Sequence, residues 1–378
     1  MHIRPFSAIF PNKDYISSAD SFFESVKFEY PEYVLSGFFN ERKPSGMYIY
    51  QIDTKRHAFV GLTCCVDVED YIKGDIKKHE NTLPASEQLH VQLLLRRKTA
   101  VKPLVLIYRN VDALDKWLQD YIEKENPEFE MEFDDPAEVH RFWAIREEED
   151  IEYLQNIFLE IPQTYIADGH HRIAATKLLY ERAKNNPDKH KHDKTLCTFF
   201  PVSELECYDY NRVVHNLETI SMATFMALLS QVFDIEPMEQ GGKPDQKHEI
   251  TMYLRKEWFR LRWRRHVLAE YKDQRVILDT MLLNEKVLKG ILNMDNIRTD
   301  ERIEYVEGPK GITPITKKVN RDPHSVGFCL HPLILEELIL LADEDKVLPP
   351  KSTWFEPRLK NGLIVKEYYS KDNNVPKT

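Results

Sequence analysis

Read as a string of apolar and polar positions, the chain changes period many times. Residues 45–52 (SGMYIYQI) and 57–68 (HAFVGLTCCVDV) are β-branched and aromatic runs on either side of a polar DTKR turn, which predicts two strands. Residues 68–100 turn helical, with a break near Thr82 to Pro84. The continuous apolar run at 101–110 (VKPLVLIYRN) predicts a buried strand. It is followed by a helix at 112–126 that sets Leu114, Leu118 and Ile122 on one face. Residues 128–135 and 139–147 alternate like paired strands, and 148–160 reads as a helix. Further on, 196–205 is strand-like, and 248–263 predicts a hairpin turning near Lys256-Glu257. The helical runs 279–292 and 331–346 precede a proline-bounded stretch at 348–365.

Strands alternate with helices, yet hairpins are frequent. The expected fold is α+β, with mixed sheets and packed helices rather than a doubly wound parallel sheet. Two regions are expected, 1–215 and 216–378, with a soft boundary and the possibility that both build one site. The length of 378 residues agrees with two or three domains of about 150 residues.

Composition removes several classes. With 52 basic and 62 acidic residues, the net charge of −10 argues against coating nucleic acid or an anionic membrane. The five cysteines form no CxxC pair, so neither a disulfide framework nor a zinc ribbon is expected. No run approaches the roughly 18 apolar residues of a membrane span, and a soluble cytoplasmic protein is expected. GxGxxG and GxxxxGK[ST] loops are both missing.

The chemistry concentrates in IPQTYIADGHHRIAATKLLYER, residues 161–182. A strand runs into Asp168-Gly169, and His170, His171 and Arg172 open a helix. Asp168 is placed as the helix cap, a short acceptor ahead of the apolar-periodic run. Cations in a first turn cost about 0.3–1 kcal/mol each, because unpaired amides and the helix dipole already make that end positive. A bound phosphate reverses the sign. A plain Asp-Gly turn and a metal site remain as alternatives. Two other stretches join the candidate list. Residues 77–82 (KKHENT) place His79 and Glu80 before the helix break, Glu80 being a possible proton acceptor from a hydroxyl. Lys351, Ser352 and Thr353 sit in a rigid loop as a second possible phosphate clamp. The arginine–aromatic interleaving of WFRLRWRRH is read as one strand with an apolar and a basic face, rather than a single-strand nucleic-acid binder.

ADGHHRIAA, IRPFSA, KKHENT, YNRVV and LPPKSTWFEPRLKNGL together resemble the family filed as domain of unknown function 1015. That family is related through its DGHHR segment to the ParB/sulfiredoxin-like superfamily, some members of which are free L-serine kinases. The resemblance implies a strand–turn–helix phosphate site and a phosphotransferase using ATP, ADP or pyrophosphate with Mg²⁺. It implies Asp168, Gly169, His170, His171 and Arg172 around the donor phosphates. Glu80 would be the base for the hydroxyl of L-serine or another small alcohol, with His79 beside it. Lys351, Ser352 and Thr353 would bind phosphate, and Asn211 and Arg212 would support the pocket. The other function class is a ParB-like nucleotide-binding regulatory module without kinase activity.

Overall fold

A computed structural model describes residues 1–16, 18–183, 192–217 and 220–368. The chain divides into two compact units. The first is Met1–Glu206 together with Pro357–Thr378, and the second is Cys207–Glu356. The expected split at residue 215 misses one feature. The chain leaves the first unit at 206 but returns to it at 357, so the segment after the 349–353 loop belongs with the N-terminal residues.

The first unit is α+β. Its strands are β1 (Ile3–Arg4), β2 (Phe6–Ile9), β3 (Ser45–Thr54), β4 (Ala58–Asp67), β5 (Ile76–Lys77), β6 (Thr99–Ala100), β7 (Leu104–Tyr108), β8 (Phe129–Asp134), β9 (Ala137–Ile145), β10 (Thr164–Asp168) and β11 (Lys194–Pro201). With the late strand Val365–Glu367 they form one mixed sheet. Its main path runs β5, β10, β7, β11, β4, β3, β2, Val365–Glu367, β6. The helices are α1 (Ala19–Leu35), α2 (Val68–Lys73), α3 (Pro84–Arg97), α4 (Asp112–Lys124), α5 (Glu148–Glu160) and α6 (His170–Arg182).

The continuous burial of β7, of most of β4 and of Gly46–Tyr50 in β3 follows from cover on both faces. Alternate residues supply one core: Ile49 of β3, Leu62 and Cys64 of β4, Leu106 and Tyr108 of β7, Phe199 of β11. Leu114 and Leu118 of α4 and Leu154 and Phe158 of α5 close over it, with Ile122 packed at its edge. Tyr50, on the opposite face of β3 from Ile49, stacks on Phe142 at 4.1 Å, and Phe10, just after β2, stacks on Phe129 at 4.7 Å.

The second unit has a six-stranded antiparallel sheet ordered Phe233–Met238, Glu257–Trp263, Glu249–Leu254, Val326–Leu330, Tyr210–Val214, Ile303–Glu307. The expected hairpin is present. Its turn is Arg255-Lys256, both at positive φ (50° and 68°), the conformation a two-residue hairpin loop of matching twist demands. Arg260 and Arg262 on that hairpin face the buried Glu249 carboxylate at 3.1 and 3.2 Å, so the basic face is answered within the sheet. Among the described residues, no helix is long and apolar enough to cross a membrane.

Candidate functional site

Residues 77–82 do not end a helix. α2 stops at Lys73, capped by Gly74 in the left-handed conformation, and β5 intervenes before α3 begins at Pro84. β5 pairs in parallel with β10, Ile76 opposite Thr164 and Lys77 opposite Tyr165. Parallel pairing sends both chains off the same edge of the sheet. His79 and Glu80 therefore leave β5 beside the point where Asp168 leaves β10. The contact is direct, with the His79 and His170 rings edge to face and their centroids 4.5 Å apart. Glu80 follows in the same loop, half-buried.

The turn itself differs from the expected cap. Gly169, not Asp168, caps α6, in the left-handed region at φ 112°, and no side chain accepts from the first turn. Asp168 is the last residue of β10, reached through a register irregularity after Ile166 in the pairing with β7. A side chain at position 169 would be strained by that φ and obstructed as well. A Cβ there would stand 2.6 Å from Leu104 Cδ2 and 2.9 Å from Arg172 Nη2. The first amides to enter the helix ladder are those of Arg172 and Ile173, both donating to the Gly169 carbonyl. The amides of Gly169 and His170 precede it.

Freed from capping, the Asp168 carboxylate gathers cations. Its Oδ2 accepts from Arg172 Nη2 at 2.8 Å and lies 3.3 Å from Lys102 Nζ, while Oδ1 is 4.0 Å from Arg358 Nη1. Burial alone would raise the pKa of this group. Lys102, Arg172 and Arg358 outweigh it and hold the carboxyl well below the usual carboxylate range. The Arg172 guanidinium also donates through Nη1 to the carbonyls of Lys102 (3.0 Å) and Pro103 (2.5 Å), which fixes it against the loop leading into β7.

The histidines do not add the charge that their residue type promised. Burial pushes His170 well below its ordinary pKa, with His79 lowering it further. Burial also takes His79 down to about 4, against a hydrogen bond to the Ile166 backbone. Both rings are neutral at pH 7. His170 Nε2 faces the His79 amide at 3.5 Å as an acceptor, which leaves its proton on Nδ1. His171 lies on the other side of the helix start, its ring parallel to His90 of α3 with centroids 5.9 Å apart. Arg172 is thus the one permanent cation that this turn adds, and it is paired.

A cavity of about 300 Å³ opens beside Asp168 within the first unit. Lys27, Arg97, Lys102 and Arg172 line it, with Asp168 as its carboxylate. Of these, residue-type patterning pointed only to Asp168 and Arg172. Lys102 carried one overlooked signal: a lysine inside the otherwise apolar VKPLVLIY run, where a charge needs a partner. Arg97 and Arg358 carried none.

The remaining predicted residues lie in the second unit. Asn211 and Arg212 are fully buried on the strand Tyr210–Val214. The Asn211 amide oxygen accepts from the Leu330 backbone at 3.0 Å. Arg212, lowered to about 10 by burial, donates to the carbonyls of Tyr210 (2.5 Å) and Lys351 (3.2 Å). The Ser352 hydroxyl donates to the Pro349 carbonyl at 2.7 Å. Lys351, at φ 55°, holds its ammonium 5.1 Å from the centre of the Tyr210 ring. Thr353 is half-buried beside them.

Among the described residues, no three His, Cys, Asp or Glu side chains stand together as a metal set. A protein-built Mg²⁺ cage does not fit this donor set, since Asp168 alone faces the cavity and its oxygens are already taken by cations.

The profile of the family described as Protein of unknown function (DUF1015) matches residues 7–283. No curated protein matches. Solved structures, among them the following, are similar at low identity. SbnI with a C-terminal truncation, from Staphylococcus aureus, is 11% identical, covering 80% of this chain and 87% of its own, with a TM-score of 0.42. A conserved hypothetical protein from Pyrococcus furiosus is 12% identical over 80% and 95%, at 0.39. A mutant free serine kinase in complex with ADP is 12% identical over 80% and 90%, at 0.38.

Proposed function

We propose, from the premise that this chain belongs to the DUF1015 family, that its first unit transfers a phosphoryl group to a small hydroxyl substrate. L-serine is the simplest acceptor. The donor is ATP, ADP or pyrophosphate. The observation that carries the reading is the contact between two separated motifs: β5 and β10 run in parallel, and the His79 and His170 rings meet at 4.5 Å. That contact sets the Glu80 loop beside the helix start that follows Asp168.

Phosphoryl transfer asks a protein mainly for positioning and for charge placed around the phosphate. The amides of Gly169 and His170 and the helix dipole face an anion at the start of α6. Neutral His170 contributes orientation and the exclusion of water rather than charge. Glu80 accepts the proton of the attacking hydroxyl as its oxygen bonds to the terminal phosphorus. The phosphorus–oxygen bond to the leaving group breaks, and that group departs with the electron pair. Asp168 fixes the cations Lys102 and Arg172 in place. Mg²⁺ supplied with the donor would neutralise phosphate charge, and this chain's own described residues offer no carboxylate set to hold it.

Phosphorus NMR of the full chain with Mg²⁺, L-serine and each donor in turn tests this. A serine-dependent phosphomonoester signal is expected, and Glu80→Gln should slow its appearance about 10²–10⁴-fold while donor binding persists. Donors that bind but stay intact across a panel of small alcohols would replace this reading with the nucleotide-binding regulatory module.

A further inference from the structure

The cavity beside Asp168 holds a charge imbalance, and its further cations lie outside the residues that the transfer reading uses. Four cationic side chains line it against one carboxylate. Asp168 answers Lys102 and Arg172. Nothing answers Arg97. Its Nε donates to the Leu93 carbonyl at 3.1 Å and its Nη1 to the Lys27 carbonyl at 2.7 Å, both neutral acceptors. Among the described residues, no carboxylate pairs with it and Nη2 has no protein partner. Lys27, on the exposed face of α1 at the cavity rim, likewise has no carboxylate partner among them; its ammonium lies 4.8 Å from the Phe28 ring.

Arg97 is half-buried and has no counter-charge among the described residues; partial desolvation disfavours its charged form and brings it down to about 10. Two uncompensated cations match one dianion. A phosphate group carries about −1.5 to −2 at pH 7, whereas a carboxylate carries one charge. The planar guanidinium also presents paired donors suited to phosphate oxygens. Further along the wall stand the hydroxyls of Thr176, Thr195 and Tyr368, while Leu94, Val101 and Leu104 make an apolar side. The volume of about 300 Å³ is enough for a small ligand with an uncharged body.

We infer that this cavity is a binding site for a phosphate group, held by Arg97 with Lys27 at the rim and Lys102 at the inner wall. It shares Asp168 and Arg172 with the proposed transfer site but requires no transfer chemistry. Its recognising residues lie outside every motif that the sequence displayed. The phosphate belongs either to a free inorganic anion or to a nucleotide.

Titration calorimetry on the full chain at low salt separates these, using inorganic phosphate, pyrophosphate and ADP in turn. Binding of at least one is expected, weakening as salt rises. The Arg97→Gln variant should bind the preferred anion at least tenfold more weakly. Lys27→Gln, at an exposed position where folding is not at stake, should weaken it about threefold. Preference for pyrophosphate over ADP assigns a free anion, and the reverse assigns a nucleotide. Binding unchanged within twofold in both variants, or no binding of any of the three anions, overturns the site. Anion binding that depends on Arg97 with no phosphomonoester formed would leave this site standing and remove the kinase. Serine phosphorylation that is indifferent to Arg97→Gln would do the opposite.

Discussion

Two stretches of this chain look alike as residue types. Asp168–Arg172 and Lys351–Thr353 both gather short polar and cationic residues at a turn, and both promise a hold on phosphate. The difference between them lies in where their polar atoms already go. In the second unit, the Ser352 hydroxyl is used on the Pro349 carbonyl, Arg212 holds the Lys351 carbonyl, and the Lys351 ammonium rests over Tyr210. The first contact closes a local turn, and the other two tie that turn to the strand Tyr210–Val214. In the first unit, the Asp168 carboxylate is not used as a cap; it gathers three cations, and two of them, Lys102 and Arg172, line a cavity that holds still more positive charge. A polar residue is informative about ligands only after its local hydrogen bonds have been accounted for.

The largest expected break in this contrast is Asp168→Asn. The neutral amide leaves Lys102 and Arg172 without their counter-charge in a largely buried setting, a loss of about 2 kcal/mol, and serine-dependent turnover should vanish. Denaturant midpoints and the phosphorus assay read the two effects separately. An Asn variant as stable and active as the parent would remove Asp168 from the centre of the site.

The next effect comes from pH. His79 and His170 fold with pKa values below that of an unfolded histidine, near 6.5. Between pH 6.5 and about 4 the unfolded chain therefore binds protons that the folded chain refuses. Their contribution to stability is complete above pH 6.5 and is lost as pH falls below it, down to about 4 for His79, at up to about 1.4 kcal/mol per pH unit for each ring. Urea unfolding at pH 7, 6 and 5 should show that slope, and His79→Gln should reduce it by about half. A flat profile would mean that the rings are hydrated and charged.

The smallest effect sharpens the comparison from its other side. Ser352→Ala removes one local hydrogen bond and should cost about 1 kcal/mol, with pyrophosphate affinity unchanged within twofold. A tenfold loss of affinity would restore the 349–353 turn as a phosphate clamp.

Much of the fold was legible because its signals are local. Leu114, Leu118 and Ile122 fall on one face at helical spacing, and that face packs on the core as expected. The Arg255-Lys256 turn sits within one residue of where the alternation breaks. The helix cap was misread because Asp and Gly both serve as caps, and only the strand register decides which of them is still in the sheet. The short strand β5 was read as part of a helix, since two residues give no period to detect.

By itself, the sequence determined the α+β alternation, the family, and the motifs at His79-Glu80 and Asp168–Arg172. These are written in residue type and spacing. Tertiary structure decided their state. It made two histidines neutral by burying them against each other, kept one aspartate ionised by surrounding it with cations 66 residues upstream and 190 downstream, and left Arg97 at the cavity wall without a carboxylate partner of its own among the described residues. Ionisation depends on which dielectric and which charges lie within a few ångströms. Those neighbours come from the loop after β5, the segment before β7, α3 and the returning segment after Pro357, none of which is close in the chain.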